Sequence, residues 1–483
     1  MALTDHVLLP LRGLRAASRT ASVRARDYLG SLPVGARWGR GRTRMEVLDT
    51  IGDDGPKLVR LESDAAEALR AAQPGLRLVP VRYYQPARSQ FRLAARIGRA
   101  GTTLVPVTVR SRTDGTPVAG AEVIAVVDVG RQIGATATTD RNGVARLRLP
   151  VVEKLPRLYV FTDVGYWSLL RRNLVMSAAL EVTIRPFDRR DRDGVRHFLG
   201  QASPDHGAGV HVAIVDTGID LAHPDLTVVG GANTVTGEDP NDYGDNGQHH
   251  GTHVAGIVAA HGTPPSGLAG VAPGAALHSY RVFGRKGTGA TNFAIAKAID
   301  LAVTDRCDLI NLSLGGGDPD PVLRAAVEDA RASGVVVMAA AGNDGRQPVS
   351  FPGSEPAVVA VSALGRKGTY PTDSSAVADQ AGPYGRDKAN FIAAFSNVGA
   401  QIDLAGPGVA VVSTVPGGYG EMSGTSMACP AITGVAARVL ARDATLLRAD
   451  RDAARSDELI SRLLQSATSL GFPSELEGQG LPR

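Results

Sequence analysis

Thiols are nearly absent from this chain, with two cysteines, Cys307 and Cys429, among 483 residues. So few cannot form a disulfide framework, and small buried-hydrophobe roles are expected for both. A reducing compartment follows as the expectation. Long apolar runs are missing too. None approaches the ~18–20 residues that span a bilayer, so no membrane partner is expected. The first apolar stretch, Val7-Leu8-Leu9-Pro10-Leu11, falls short of the about 7–15 residues of a secretory core, and arginines follow it at once. Cytoplasmic localisation is therefore expected, with secretion not excluded. Lysine is scarce: six of 52 basic residues, against 48 acidic ones, for a net charge of +4. That near balance calls for no nucleic-acid partner. With 43% hydrophobic and only 21% charged residues, collagen-like, coiled-coil and wholly disordered chains are excluded.

What is present divides into zones. Residues 1–43 form an arginine-rich lead, with nine arginines against two aspartates through Arg44. It is expected to be a poorly ordered tail, the alternative being a polyanion-binding arm. Residues 44–96 read as a small α+β unit. The alternation at 57–61 is strand-like, Asp64 and Glu67 form a capping-box pattern opening a helix over 65–72, and 76–81 returns as a strand. This unit resembles the small inhibitory propeptides found ahead of many proteases. Residues 102–186 read as a β-sandwich, with strand runs at 105–110, 121–127, 145–149, 158–161 and 180–184 and turns at Asp114-Gly115 and Asn142-Gly143. The phrases around Gly115–Ala121 and Thr139–Gly143 resemble immunoglobulin-like modules of the carboxypeptidase-regulatory type. Residues 187–200 are a charged, exposed linker. From 201 to 483, strand runs at 210–215, 277–283, 308–312, 335–341 and 357–362 alternate with helices at 292–304, 321–333 and 429–441. That alternation predicts an α/β domain with a parallel sheet.

Three strings in this last zone carry chemistry. Val212-Ala213-Ile214-Val215-Asp216-Thr217-Gly218 puts a carboxylate at the end of a buried strand. His250-Gly251-Thr252-His253 places an imidazole where small residues open a helix. Ser423-Gly424-Thr425-Ser426 holds a hydroxyl at the start of another. Serine is a weak nucleophile and needs a base within hydrogen-bond reach; imidazole supplies one near neutral pH, and an aspartate fixes its tautomer. Asn343, just past a buried strand, is a second donor for an oxyanion beside the serine N–H. Zinc is not expected from His249, His250, His253 and His261, because no His-Glu-x-x-His string is present.

On these motifs, in the order Asp, His, Ser, the chain resembles the subtilisin-like serine proteases from about Gly194 onward. The resemblance implies an endopeptidase acting through an acyl-enzyme, with Asp216 as orienting acid, His250 as base, Ser426 as nucleophile and Asn343 as oxyanion amide. It implies that a polypeptide substrate lies extended between an edge at Gly287, Thr288 and Gly289 and one at Ser313, Leu314, Gly315 and Gly316. Ala340, Gly342 and Ser350 would wall the pocket for the residue before the cut. No cofactor is required. Asp225 matches a carboxylate that many members give to calcium, but the loop at 261–267 lacks the usual asparagines. The polar loop between Leu364 and Phe395 is longer than the family's, either a specificity or docking loop or a tolerated insertion. The N-terminal region would be an intramolecular inhibitor, with a candidate cut near 188–194. Two rival functions are a processing peptidase dedicated to one partner and a catalytically silent binding scaffold.

Overall fold

The computed structural model describes residues 3–11, 13–14, 22–38, 45–73, 75–98, 100–287 and 289–483. Within the peptidase-like domain one large sheet runs in the order Val228–Asn233, Ala276–Arg281, His211–Asp216, Leu309–Leu312, Val336–Ala340, Val358–Arg366, Asn390–Ile392, with Leu404–Pro407 also paired to Val358–Arg366. All pairs but the one with Asn390–Ile392 are parallel. The strands are buried on both sides, as their continuous apolar runs require. The chain starts at His211–Asp216, moves to one edge, then crosses to the other side through Leu309–Leu312. A parallel sheet offers its ligand crevice where the order reverses, outside the carboxyl ends of the strands. Asp216, Ser313 and Asn343 emerge from the carboxyl ends of three adjacent strands there.

The sandwich is present as two sheets. One has the order Leu169–Val175, Lys154–Phe161, Glu122–Asp128, Ile133–Thr138, Ala95–Arg96; the other has Val144–Pro150, Thr102–Ser111, Leu180–Ile184. They share a core that includes Val107, Val123, Leu147, Leu158 and Val182. Gly115 and Gly143 sit at the expected turns with φ of 72° and 74°.

Three expectations for the N-terminal half need correction. The lead is not a tail where it is described. Thr4–Pro10 is an inner strand of a five-stranded sheet, paired antiparallel with Lys57–Leu61 on one side and Leu76–Pro80 on the other. The run Val7-Leu8-Leu9 is short because it is a strand, and its alternation has a purpose on each face. Leu8 packs with Val59, Leu61, Ala65 and Leu69 of its own unit. Val7 and Leu9 pack with Ile295, Ile299, Val322 and Leu323 of the C-terminal α/β domain. Full burial of each such side chain is worth about 1.5–3 kcal/mol. Most of the arginine-rich stretch, residues 15–21 and 39–44, lies outside the described residues.

The expected capping box is not formed. The helix is Ser63–Ala72, its N-cap is Glu62, and no side chain caps it. The chain leaves the sheet at Leu61 and turns at once, so the helix begins before Asp64. The linker, finally, is tied down at both ends. Phe187 meets Trp167 edge-on at 5.2 Å, and buried Asp193 caps the helix Gly194–Leu199 while accepting the Val412 N–H at 3.0 Å. Among the described residues no helix is long and apolar enough to cross a membrane.

Candidate active site

His250 opens the helix His250–Ala259, every residue of which is buried. Its Nδ1 lies 2.8 Å and 3.0 Å from the two Asp216 oxygens, and Asp216 Oδ1 also accepts the Thr217 N–H at 2.7 Å. Gly251 lets that helix sit against the strand end, since a Cβ there would come within 3.1 Å of Asp216 Cβ. His253 does a different job. Its ring points to the Val411 and Gly420 carbonyls, and burial, with the neighbouring His250 and Arg88 adding to it, pushes its pKa down to about 3. It is a neutral packing group.

Ser426 lies in the first turn of the buried helix Thr425–Ala441. Pro430 stands four residues on and has no N–H, so the Ser426 carbonyl lacks its usual helical donor. Ser313 Oγ supplies one instead at 2.9 Å, which ties the Ser426 turn to the sheet. The Ser426 hydroxyl itself donates to the Ser313 carbonyl at 2.9 Å, not to His250, and His250 Nε2 is buried without a partner. The serine and the imidazole–carboxylate pair thus share one site without the hydrogen bond that would join them.

A strand of the N-terminal region lies against the same serine. Tyr83–Pro86 forms the middle strand of a small sheet, antiparallel to Ala290–Thr291 on one side and to Leu314–Gly315 on the other. The strand delivers Ala87 onto the serine. Its N–H donates to Ser313 O at 3.0 Å, and its carbonyl accepts the Ser426 N–H at 3.2 Å and the Asn343 Nδ2–H. Asn343 is aimed by Thr425, whose N–H and Oγ–H hold its Oδ1 at 2.9 Å and 3.0 Å. Beyond Ala87 the Ser89 N–H donates to Ser423 O at 2.8 Å. Gly424, at φ 152°, has to be glycine, because a Cβ would come within 2.6 Å of Ala87 O and 3.1 Å of Ser89 N. In the segment at 188–194, Asp193 accepts the Val412 N–H at 3.0 Å and the Arg189 guanidinium lies 5.1 Å from the Tyr419 ring centroid. The chain that passes the serine is at Ala87–Arg88.

The expected substrate edges are partly realised. Ser313, Leu314 and Gly315 pair with the chain in the cleft, while Gly316 donates to Phe351 O instead. On the other side the pairing residues are Ala290 and Thr291, one step past Gly289. A Cβ on Gly289 would come within 2.8 Å of Tyr84 O; Gly287 touches only its own loop, and Thr288 lies outside the described residues. Gly342, at φ 105°, leaves space that Ser350 Oγ and Asn397 Nδ2 crowd, and Ala340 ends its buried strand. Sequence reasoning misses Asp344. Its carboxylate accepts from Asn397 Nδ2 at 2.8 Å and Ser350 Oγ at 3.3 Å, one bond behind that wall.

Asp225, the carboxylate weighed for calcium, is held by protein donors: its Oδ2 accepts the Leu268 N–H at 2.9 Å and the Tyr419 hydroxyl at 2.6 Å, in a space that any Cβ on Gly262 or Gly267 would enter. Calcium needs six to eight oxygens; among the described residues no group of three His, Cys, Asp or Glu could hold a metal. Both cysteines are free and buried, and burial pushes the Cys307 thiol up to about 12 and the Cys429 thiol higher.

The loop from 364 to 395 turns out to be a docking platform for the sandwich. Asp373 accepts from Arg112 and Arg171, at 2.5 Å and 2.8 Å, and its backbone carbonyl takes the Leu170 N–H at 2.7 Å. Ser375 Oγ bonds Ser168 Oγ at 2.8 Å.

Donors fixed on a peptide carbonyl, with a buried serine and an imidazole–carboxylate pair at the carboxyl edge of a parallel sheet, describe acyl transfer of the serine type on an α/β scaffold. Residues 207–481 match the model of the subtilase family, and the chain belongs to that family. It is 39% identical over 286 residues to Subtilisin DY of Bacillus licheniformis, covering 58% of this chain and 91% of that protein. Over 280 residues it is 39% identical to a subtilisin of Bacillus pumilus, covering 57% and 89%. Over 276 it is 38% identical to a thermostable alkaline protease of Halalkalibacterium halodurans, covering 57% and 66%. The protein is a serine endopeptidase, and its substrate is polypeptide.

Proposed function

We propose that Ser426 is the nucleophile, His250 its base and Asp216 the carboxylate that orients the ring, and that the first bond cut is the chain's own Ala87–Arg88. The observation that carries this reading is the Ala87 carbonyl, gripped by the Ser426 and Asn343 N–H groups. The hydroxyl leaves Ser313 O, gives its proton to His250 Nε2 and bonds to the Ala87 carbon. His250 returns the proton to the Arg88 nitrogen as the C–N bond breaks; water then releases Ala87 from the serine. A buried ring nitrogen without a partner costs about 1–3 kcal/mol, and the turned hydroxyl removes that cost. This favours an active site over a silent scaffold. Until the cut, residues 83–87 keep other chains out of the cleft, so the N-terminal unit inhibits in cis. After it, residues 88–483, sandwich included, are one piece. Two unpaired buried thiols support the cytoplasm as its setting.

The test is the full chain purified beside its Ser426→Ala form. The first should yield a fragment beginning at Arg88 and hydrolyse peptides. The second should stay intact, with turnover lower by about 10⁶. Equal processing of both, or cutting at 188–194, would overturn the assignment.

A further inference from the structure

The chain that crosses the serine continues into a pocket that two domains build. It is lined by Phe161, Thr162 and Ser168 of the sandwich, by Ser375 and Glu421 of the peptidase domain, and by Arg88 itself. Arg88 is half-buried. Burial, with Arg92 adding to it, lowers the Arg88 pKa, and the carboxylates of Asp163, Glu421 and Glu122 act against that by favouring its charge.

Glu421 is held in position by the sandwich. The Ser168 N–H donates to Oε2 at 2.6 Å and the Ser168 hydroxyl to Oε1 at 3.1 Å. Glu421 sits two residues before Ser423, whose carbonyl binds the Ser89 N–H, so its carboxylate flanks the leaving side of the cut. The rest of the leaving chain is laid along the sandwich. Gln90 Nε2 donates to Glu122 Oε2 at 3.3 Å, Phe91 stacks on Tyr159 at 4.4 Å, and Ala95–Arg96 joins the sheet beside Ile133 and Gly134.

We propose that the sandwich is a permanent wall of the substrate cleft, and that with Glu421 it selects polypeptides carrying a basic residue immediately after the scissile bond. This rests on the proposed peptidase chemistry and extends it to a substrate class. Cutting at Ala87–Arg88 removes the N-terminal unit but leaves the sandwich covalently joined through residues 187–200. The acidic wall therefore remains after the cut, with Arg88 beside it as the new N-terminus. Only residues 88–90, ahead of the Phe91 anchor, have to swing out for a substrate to take their place. An arginine or lysine entering there meets the Glu421 carboxylate already oriented by Ser168, whereas a glutamate meets like charge in a partly desolvated site.

The experiment uses the self-processed protein and a set of peptides identical except for Arg, Lys, Leu or Glu after the cut. Arg and Lys peptides should be hydrolysed about tenfold faster than the Leu peptide, and the Glu peptide slowest. The isosteric Glu421→Gln variant should lose most of that order. Independently, Arg88→Glu in the full chain should slow self-cleavage about tenfold or more, and Arg88→Lys should restore it. Equal rates across the four peptides would overturn the pocket assignment while leaving the peptidase reading intact. No hydrolysis of any peptide, with no self-cleavage, would overturn both.

Discussion

Residues 3–80 and residues 102–186 both lie against the peptidase domain, but they present different chemistry to it. The N-terminal unit offers one aliphatic face, Val7, Leu9, Leu58 and Val79, to the helices Asn292–Thr304 and Pro321–Ala332. Its polar contacts include Lys297 to Asp49 at 2.7 Å, the Leu14 N–H to Asp329 at 2.7 Å and buried Asn292 Nδ2 to the Pro80 carbonyl at 3.2 Å. The sandwich offers serines, arginines and a single large anchor, Trp167, to Asp373, Ser375 and Glu421. An apolar face gives affinity without direction, and the strand it delivers, Tyr83–Pro86, supplies direction by pairing with two cleft edges. A hydrogen-bonded face fixes orientation, which is what a wall beside the scissile bond needs. One appendage is attached so that a single cut frees it; the other is attached so that no cut at the serine can.

The largest expected effect breaks the comparison on the sandwich side. Trp167 is 2% exposed and belongs to the peptidase core cluster rather than to the sandwich's own. Trp167→Ala should remove about 3–5 kcal/mol from docking. Calorimetry of the processed protein should then show the sandwich melting separately, with the peptidase transition retained. A single unchanged transition would mean that the hydrogen bonds alone fix the sandwich and that Trp167 is no anchor. Next is Leu9, fully buried on the other appendage. Leu9→Ala should cost about 2–5 kcal/mol in the full-length Ser426→Ala chain. The processed protein from a Leu9→Ala gene should match the parent in thermal stability once the released N-terminal fragment is removed, because that residue leaves with the cut.

How much of this is legible in the sequence follows from how local each signal is. Asp216, His250, Ser426 and Asn343 each stand in a short string whose neighbours explain them, and the strands around them are continuous apolar runs. The occupant of the cleft is different. Tyr83-Tyr84-Gln85-Pro86-Ala87 has no pattern of its own, and its role depends on edges more than 200 residues away. Thr4–Pro10 fits a strand with two buried faces, a signal easily lost beside the arginines that follow. In the sandwich, Ile133–Thr138 is hard to see because Gly134, Ala135 and Ala137 carry little apolar signal; Gly134 is small because the Ala125 carbonyl and Leu93 leave no room for a Cβ. Leu169–Val175 pairs only with Lys154–Phe161, and its central Arg171-Arg172-Asn173 reads as loop. Pro430 is a usable clue. A proline four residues after the serine announces that the serine carbonyl needs a donor from elsewhere, and Ser313 is that donor.

The smallest expected effect is a pH dependence confined to the sandwich contact, because the two halves of that contact titrate in opposite directions. Burial raises the Asp373 carboxyl, but the hydrogen bonds and charges of Arg112 and Arg171 outweigh it and hold the pKa below the usual carboxylate value. Its contribution is therefore present above about pH 4 and lost as pH falls below that; with both arginines more than a third exposed it is worth about 1 kcal/mol or less. Glu421 runs the other way. Burial pushes it up to about 7 against the Ser168 donors and Arg88, and Asp379, buried beside it, is likewise raised to about 7. A carboxyl whose folded pKa lies above its unfolded one stabilises fully below the unfolded pKa, and that contribution is lost as pH rises through about 7. Sandwich docking should thus be tightest near about pH 4–5 and weaken progressively as pH rises to about 7, read as the separation of the two melting transitions. Docking of the N-terminal unit in the Ser426→Ala chain, resting on aliphatic contacts, should change little over the same range. The same proton sets the charge that faces the residue after the cut, so preference for arginine there should sharpen across pH 6–8 just as docking loosens. A preference that stayed flat while docking changed would assign the selectivity to Asp163 and Glu122 instead of Glu421.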